Sequence, residues 1–154
     1  MAVVISMKLN SGDKAPDFEL PSTGGGTFRL SESLKDGNLV LYFYPKDFTA
    51  GCTREACGFR DEFADLRRSE LRVFGVSTDT IESHEKFKAE YKLPFELLSD
   101  RDGTVSSLYG VYNKLFKISN RVTFIIDREG KILSVTKNMF SPKMHIDAAK
   151  SVSA

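Results

Sequence analysis

Cys52 stands where a thiol can become a reagent. In the segment Tyr44-Pro45-Lys46-Asp47-Phe48-Thr49-Ala50-Gly51-Cys52-Thr53-Arg54-Glu55-Ala56-Cys57 an apolar run stops at Pro45, a loop of small and polar residues follows, and a helical pattern starts at Cys52. The unpaired N–H groups and partial positive charge of a helix N-terminus favour a thiolate over a thiol. A thiol with the ordinary pKa of about 8.5 is only a few per cent ionised at pH 7, and lowering it to about 6 raises the nucleophile roughly thirtyfold. Lower basicity also weakens a thiolate's intrinsic nucleophilicity, so fast chemistry needs a positioned co-reactant and a donor for the charge that develops. Thr49, three residues earlier, is a candidate donor. Taken one at a time, these residues have ordinary readings too. Cys52 and Cys57 fit as small buried hydrophobes, Arg121 as a solvated strand end, Thr49 as a cap and Pro45 as a strand terminator.

Periodicity shows the elements that must hold this segment. Residues 17–20 and 27–30 read as two short strands joined by the glycine-rich turn 21–26, whose spacing is not that of a phosphate loop. Residues 38–44 (NLVLYFY) are continuously apolar, the pattern of a strand buried on both faces. Cys52, Ala56, Phe59, Phe63 and Leu66 recur at steps of four and three, which predicts an amphipathic helix to about Arg68. A strand over 71–77 and a helix over 81–91 follow, and Pro94 marks the next break. A short helix is expected over 104–109 and a strand over 122–126 (VTFII), with the turn 127–130 leading into a strand over 131–136. Ser141 as N-cap and Pro142 at the first helical position start a closing helix that runs to about Val152. This order predicts one α/β domain over 1–154 with a thioredoxin-like architecture: a mixed central sheet flanked by helices, with an N-terminal hairpin.

Composition narrows the partners. Of the 154 residues 41% are apolar and 28% charged, and the net charge of +1 offers no footprint for neutralising phosphates, so neither nucleic acid nor an anionic membrane is expected to bind. No apolar run approaches the ~18 residues of a membrane span, and residues 1–7 lack the basic and apolar regions of a signal peptide. Two cysteines are too few to staple a chain of this length, which reads as cytoplasmic. Cys52, Cys57, His84 and His145 lack zinc-ligand spacing, and Asp100-Arg101-Asp102-Gly103 lacks the remaining ligands of a calcium loop, so no metal and no other cofactor is expected. Arg67, Arg68 and Arg72, balanced by Asp61, Glu62, Asp65 and Glu70, read as a solvated face.

Pro45, Thr49 and Cys52 together make PxxxTxxC, which resembles the active-site signature of peroxiredoxins, the cysteine-dependent peroxidases. The string YPKDFTAGCTREACGFRD resembles the bacterioferritin-comigratory, or peroxiredoxin Q, subfamily. The likeness runs from GDKAPDF at 12–18 through RVTFIID at 121–127. It implies that Cys52 is the peroxidatic cysteine, that Pro45 shields it, that Thr49 hydrogen-bonds the thiolate and peroxide, and that Arg121 supplies positive charge. A guanidinium is never deprotonated and its N–H groups can orient a peroxide oxygen, which fits that role. Many relatives carry Pro where this chain has Ala50, so the loop before Cys52 is expected to be looser here.

The resemblance also implies that Cys57 is the resolving cysteine. In an intact helix the two Cα atoms would be roughly 8.7 Å apart and point about 140° away from each other, whereas a disulfide needs Cα atoms within about 7 Å. Sulfenic acid formation at Cys52 would therefore have to couple to unwinding before Cys57 attacks. The expected substrates are hydrogen peroxide and organic hydroperoxides, and the expected reductant is thioredoxin- or glutaredoxin-like. Without a third cysteine, a catalytic disulfide within one subunit must join Cys52 and Cys57; no exposed apolar patch can be read from the sequence, so a monomer is expected, with a dimer as the alternative. Two rival readings are a thiol-disulfide oxidoreductase, which the spacing of Cys52 and Cys57 disfavours, and a redox-regulated holdase that exposes Phe59 and Phe63.

Overall fold

The computed structural model describes residues 8–138 and 141–153, so the expectation for residues 1–7 lies outside the described part. Two short strands, β1 (Glu19–Pro21) and β2 (Thr27–Arg29), form the N-terminal hairpin, with Leu20 opposite Phe28. Gly24, Gly25 and Gly26 in its turn all have positive φ, which glycine adopts without the steric cost of a Cβ. The chain continues through α1 (Leu30–Ser33) and a 3-10 turn at 34–36 into β3 (Leu39–Phe43), α2 (Ala50–Arg68), β4 (Arg72–Ser77), α3 (Ile81–Tyr91) and β5 (Glu96–Ser99). It closes with α4 (Thr104–Leu108), the small hairpin β6 (Tyr112–Asn113) and β7 (Ile118–Ser119), β8 (Val122–Ile126), β9 (Ile132–Lys137) and α5 (Pro142–Ser153).

The central sheet has the order β5-β4-β3-β8-β9. β3, β4 and β5 are parallel, and β8 and β9 are antiparallel to their neighbours, so the sheet is mixed. All five residues of β3 and of β8 are buried. Alternation sends Leu39, Leu41 and Phe43 to one core with Val122, Phe124, Ile126 and the N-terminal hairpin. It sends Val40, Tyr42 and Tyr44 to the other, with Ala56 and Phe59 of α2, Phe87 of α3 and Ala149 of α5. Each fully buried large side chain contributes about 1.5–3 kcal/mol relative to exposure, and both faces of β3 carry such groups.

Two features position the site. The parallel β3–α2–β4 unit starts α2 at the C-terminal end of the central strand, where its N-terminus faces the loop 44–49. The antiparallel pairing of β8 with β3 sets Val122 opposite Phe43, so the preceding residue, Arg121, lies at that same end.

β5 and the β6–β7 hairpin were not legible in the sequence. β5 is four residues long and opens on Glu96, whose carboxylate is held by Lys88 at 2.8 Å and by Thr23. Arg72 also departs from the solvated face expected of it. Its Nη1 donates to Ser33 Oγ at 2.7 Å and its Nη2 to Gly37 O at 3.1 Å, pinning the turn before β3.

Candidate active site

Thr49, with φ −75° and ψ 152°, is the N-cap of α2, and Ala50 is its first helical residue. Cys52 therefore sits in the first turn, two residues further into the helix than a start at Cys52 would place it. It is 1% exposed and reduced, as is the partly buried Cys57. The helix is uninterrupted through both cysteines.

Arg121 reaches Cys52 from the other side. Its Nη2 donates to Cys52 Sγ at 3.3 Å and its Nη1 donates to Glu55 Oε1 at 2.6 Å. A charged donor within hydrogen-bond range of sulfur favours the anion over the thiol. Cys52 and Glu55 are three residues apart and so share one helix face, which lets a single planar guanidinium serve both. Glu55 is fully buried, and burial pushes its carboxyl up to about 8, against the opposing pull of Arg121. Among the described residues its Oε2 has no hydrogen-bond partner.

The loop 44–49 is tied down at Asp47. Tyr44 Oη donates to Asp47 Oδ1 at 2.5 Å, and Ser83 Oγ donates to Asp47 Oδ2 at 2.8 Å. The two ring nitrogens of buried His84 face acceptors, Asp47 Oδ2 at 2.7 Å and Leu98 O at 2.9 Å. The Asp47 N–H donates to Asp79 Oδ2 at 2.8 Å. Asp47, Asp79 and His84 bring potential ligand atoms within 4.8 Å of one another, but these atoms are already engaged in the hydrogen bonds that fasten the loop to α3.

Of the residues singled out in the sequence, Cys52 and Arg121 are in direct contact. Pro45 opens the loop and is partly buried, and Thr49 is exposed at the helix start. Thr49 Oγ1 donates to Lys46 O at 2.8 Å and not to sulfur, which leaves its oxygen lone pairs as acceptors for an incoming O–H. The sequence reading missed Glu55. Its signal was an acid three residues after Cys52, inside the apolar stripe that continues through Ala56 and Phe59.

A family model described as the AhpC/TSA family matches residues 11–135. The chain belongs to the AhpC/TSA family. It is 45% identical over 147 residues to the peroxiredoxin bcp of Coxiella burnetii, covering 92% of this chain and 93% of that one. It is 40% identical over 144 residues to the chloroplastic peroxiredoxin Q of Sedum lineare, covering 93% and 77% respectively. The crystal structure of the peroxidoxin BcpB from Mycobacterium tuberculosis matches with a TM-score of 0.88 at 40% identity, over 94% of this chain and 96% of that one. The sheet and flanking helices are thus the thioredoxin-like fold of peroxiredoxins, and the chain is a thiol peroxidase of that class.

Proposed function

We propose that Cys52 is the peroxidatic cysteine of this peroxidase and Cys57 its resolving partner. The observation that carries the reading is the Arg121 guanidinium donating to the Cys52 sulfur at 3.3 Å in the first turn of α2. The thiolate attacks one oxygen of a hydroperoxide, an S–O bond forms as the O–O bond breaks, and the leaving hydroxide or alkoxide takes up a proton. Sulfur loses two electrons and becomes a sulfenic acid. Arg121 N–H groups and the Thr49 hydroxyl orient the peroxide, and Pro45 keeps solvent from the sulfur. Hydrogen peroxide is the basic substrate, and alkyl hydroperoxides present the same O–O group.

The thiolate of Cys57 then attacks the Cys52 sulfur, an S–S bond forms as the S–O bond breaks, and the departing hydroxide takes a proton from solvent to become water. Helical geometry separates the two Cα atoms by roughly 8.7 Å, so the first turns of α2 must unwind for this step. A dithiol reductant of the thioredoxin or glutaredoxin type restores both thiols by exchange. The chain works as one domain, as a monomer in the cytoplasm, and no helix among the described residues is long and apolar enough to cross a membrane.

Intact mass after stoichiometric hydrogen peroxide, with peroxide consumption under dithiothreitol, tests these roles. Wild type loses two hydrogens. Cys52→Ser is inert, and Cys57→Ser gains oxygen without forming the internal bridge. Turnover by Cys52→Ser at the wild-type rate would overturn the assignment.

A further inference from the structure

His145 comes from α5, far in sequence from the cysteines, yet its ring is fully buried behind the site. Its Nε2 lies 2.9 Å from Asn138 O, a carbonyl that can only accept, so Nε2 carries the proton. Its Nδ1 then has a free lone pair, and Thr123 Oγ1, 2.7 Å away, donates to it. The same Nδ1 is 3.8 Å from Glu55 Oε2, the buried oxygen without a partner among the described residues. The ring thus does two things at once. Its Nδ1 accepts the hydroxyl hydrogen of Thr123, and it stands 3.8 Å from Oε2 without donating to it.

We infer that His145 is a positioning residue of the peroxidase site, acting through Glu55 to leave the Arg121 guanidinium to the Cys52 sulfur. A carboxylate is stable when donors reach both its oxygens. Among the described residues Glu55 receives one donor, from Arg121, on Oε1 alone, and the ring offers none to Oε2. This starvation keeps a proton on Glu55 and removes a negative charge that would compete with the sulfur for Arg121. The charges around the pair are consistent with it. Burial, with Arg121 adding to it against the Asn138 hydrogen bond, lowers the His145 pKa from its ordinary value, and burial raises that of Glu55. The other titratable groups facing the pair are Cys52 on α2 and Tyr42 on β3, whose ionisation burial, Glu55 and Cys52 all oppose. Lys143 and Asp147 on α5 itself are exposed.

The inference rests on Cys52 being the nucleophile, and its test keeps the two questions apart. Ionisation of Cys52 is followed in a Cys57→Ser background by thiolate absorbance and by alkylation with iodoacetamide, neither of which requires peroxidase activity. Peroxide reactivity is measured separately. His145→Ala admits water and frees the Thr123 hydroxyl, so the thiolate midpoint rises by about one pH unit, a tenfold change in equilibrium, and the rate with hydrogen peroxide at pH 7 falls about fivefold. His145→Gln, whose amide can accept from Thr123 and donate to Asn138, restores both values to within about twofold. In a Glu55→Gln background, where there is no carboxyl to ionise, His145→Ala changes neither. If His145→Ala does not fold, His145→Asn opens the same space more gently. A folded variant with unchanged titration and rate overturns the inference, and so does an undiminished effect in the Glu55→Gln background. If Cys57→Ser gains no oxygen from peroxide at Cys52, the peroxidatic assignment fails whatever the titration shows.

Discussion

A Cβ on Gly51 would stand 3.0 Å from Nη2 of Arg121, the nitrogen that donates to the Cys52 sulfur. The helix backbone at Gly51 is thus the floor on which the guanidinium lies, and the residue before Cys52 sets how close the charge can come.

Gly51→Ala is expected to separate stability from activity. Alanine in a helix is favoured over glycine by up to about 1 kcal/mol, so the melting temperature holds or rises. The methyl group lifts the guanidinium by a few tenths of an ångström at least, and the rate with peroxide falls by roughly tenfold, about 1.4 kcal/mol of barrier. Peroxide rate constants and thermal melts of the purified variant check this. A variant with the wild-type rate would show that Arg121 has room to spare.

Ala50 is the first helical residue of α2, and Thr49 before it is extended at φ −75° and ψ 152°. Both suit a proline at position 50, because the first helical position needs no N–H partner and the residue before proline is confined to extended backbone. Ala50→Pro should stabilise the folded chain by about 0.4–1 kcal/mol through the unfolded state. It should also slow the unwinding that joins Cys52 to Cys57. Stopped-flow oxidation should show an unchanged first step, slower disulfide formation, and more over-oxidation at high peroxide. Faster disulfide formation would mean that the first turn does not limit resolution.

The strands around the site were legible because two-sided burial writes a continuous apolar run, as in β3 and β8. α2 was legible because its apolar residues repeat at helical spacing, and α3 because its Glu and Lys residues are spaced for helical support. The PxxxTxxC segment and Arg121 could be recognised as a set, although 69 residues separate Cys52 from Arg121. What could not be read was the layer of polar groups behind them. Asp47 and His84 lie 37 residues apart, and nothing local marks them as partners. Glu55 carries a local signal, an acid inside the apolar stripe of α2, but its partner Arg121 lies 66 residues away. His145 could be considered only as a ligand candidate, because its partners Thr123, Asn138 and Glu55 come from three other parts of the chain. Short elements failed for a different reason: two residues of β6 paired with two of β7 carry no periodicity to detect.

Tyr42 offers a simple stability test. Its ring stacks on Phe59 at 4.8 Å and on Tyr44 at 5.4 Å, while its hydroxyl is buried with no partner among the described residues. An unsatisfied buried polar group costs about 1–3 kcal/mol. Tyr42→Phe keeps the stacking and removes that cost, so the urea midpoint is expected to move up, with the rate toward peroxide little changed. A clear loss of stability would show that the hydroxyl does find a partner in solution.

Glu55 gives the stability of the protein a pH dependence of definite sign. Its carboxyl ionises at about 8 in the folded state, where burial raises it, against 4.5 as the ordinary value. Between these limits the folded chain holds a proton that the unfolded chain has released. The contribution is therefore fully present below pH 4.5 and is lost as pH rises through 8. His145 has the opposite effect below its ordinary value of 6.5, because burial lowers its pKa. From pH 6.5 to 8 the Glu55 slope is the larger of the two, up to about 1.4 kcal/mol per pH unit. Urea unfolding over this range should show wild type losing stability with rising pH and Glu55→Gln losing distinctly less. Equal slopes in the two proteins would mean that Glu55 is already ionised at pH 6.5, with Arg121 outweighing the burial of its carboxyl.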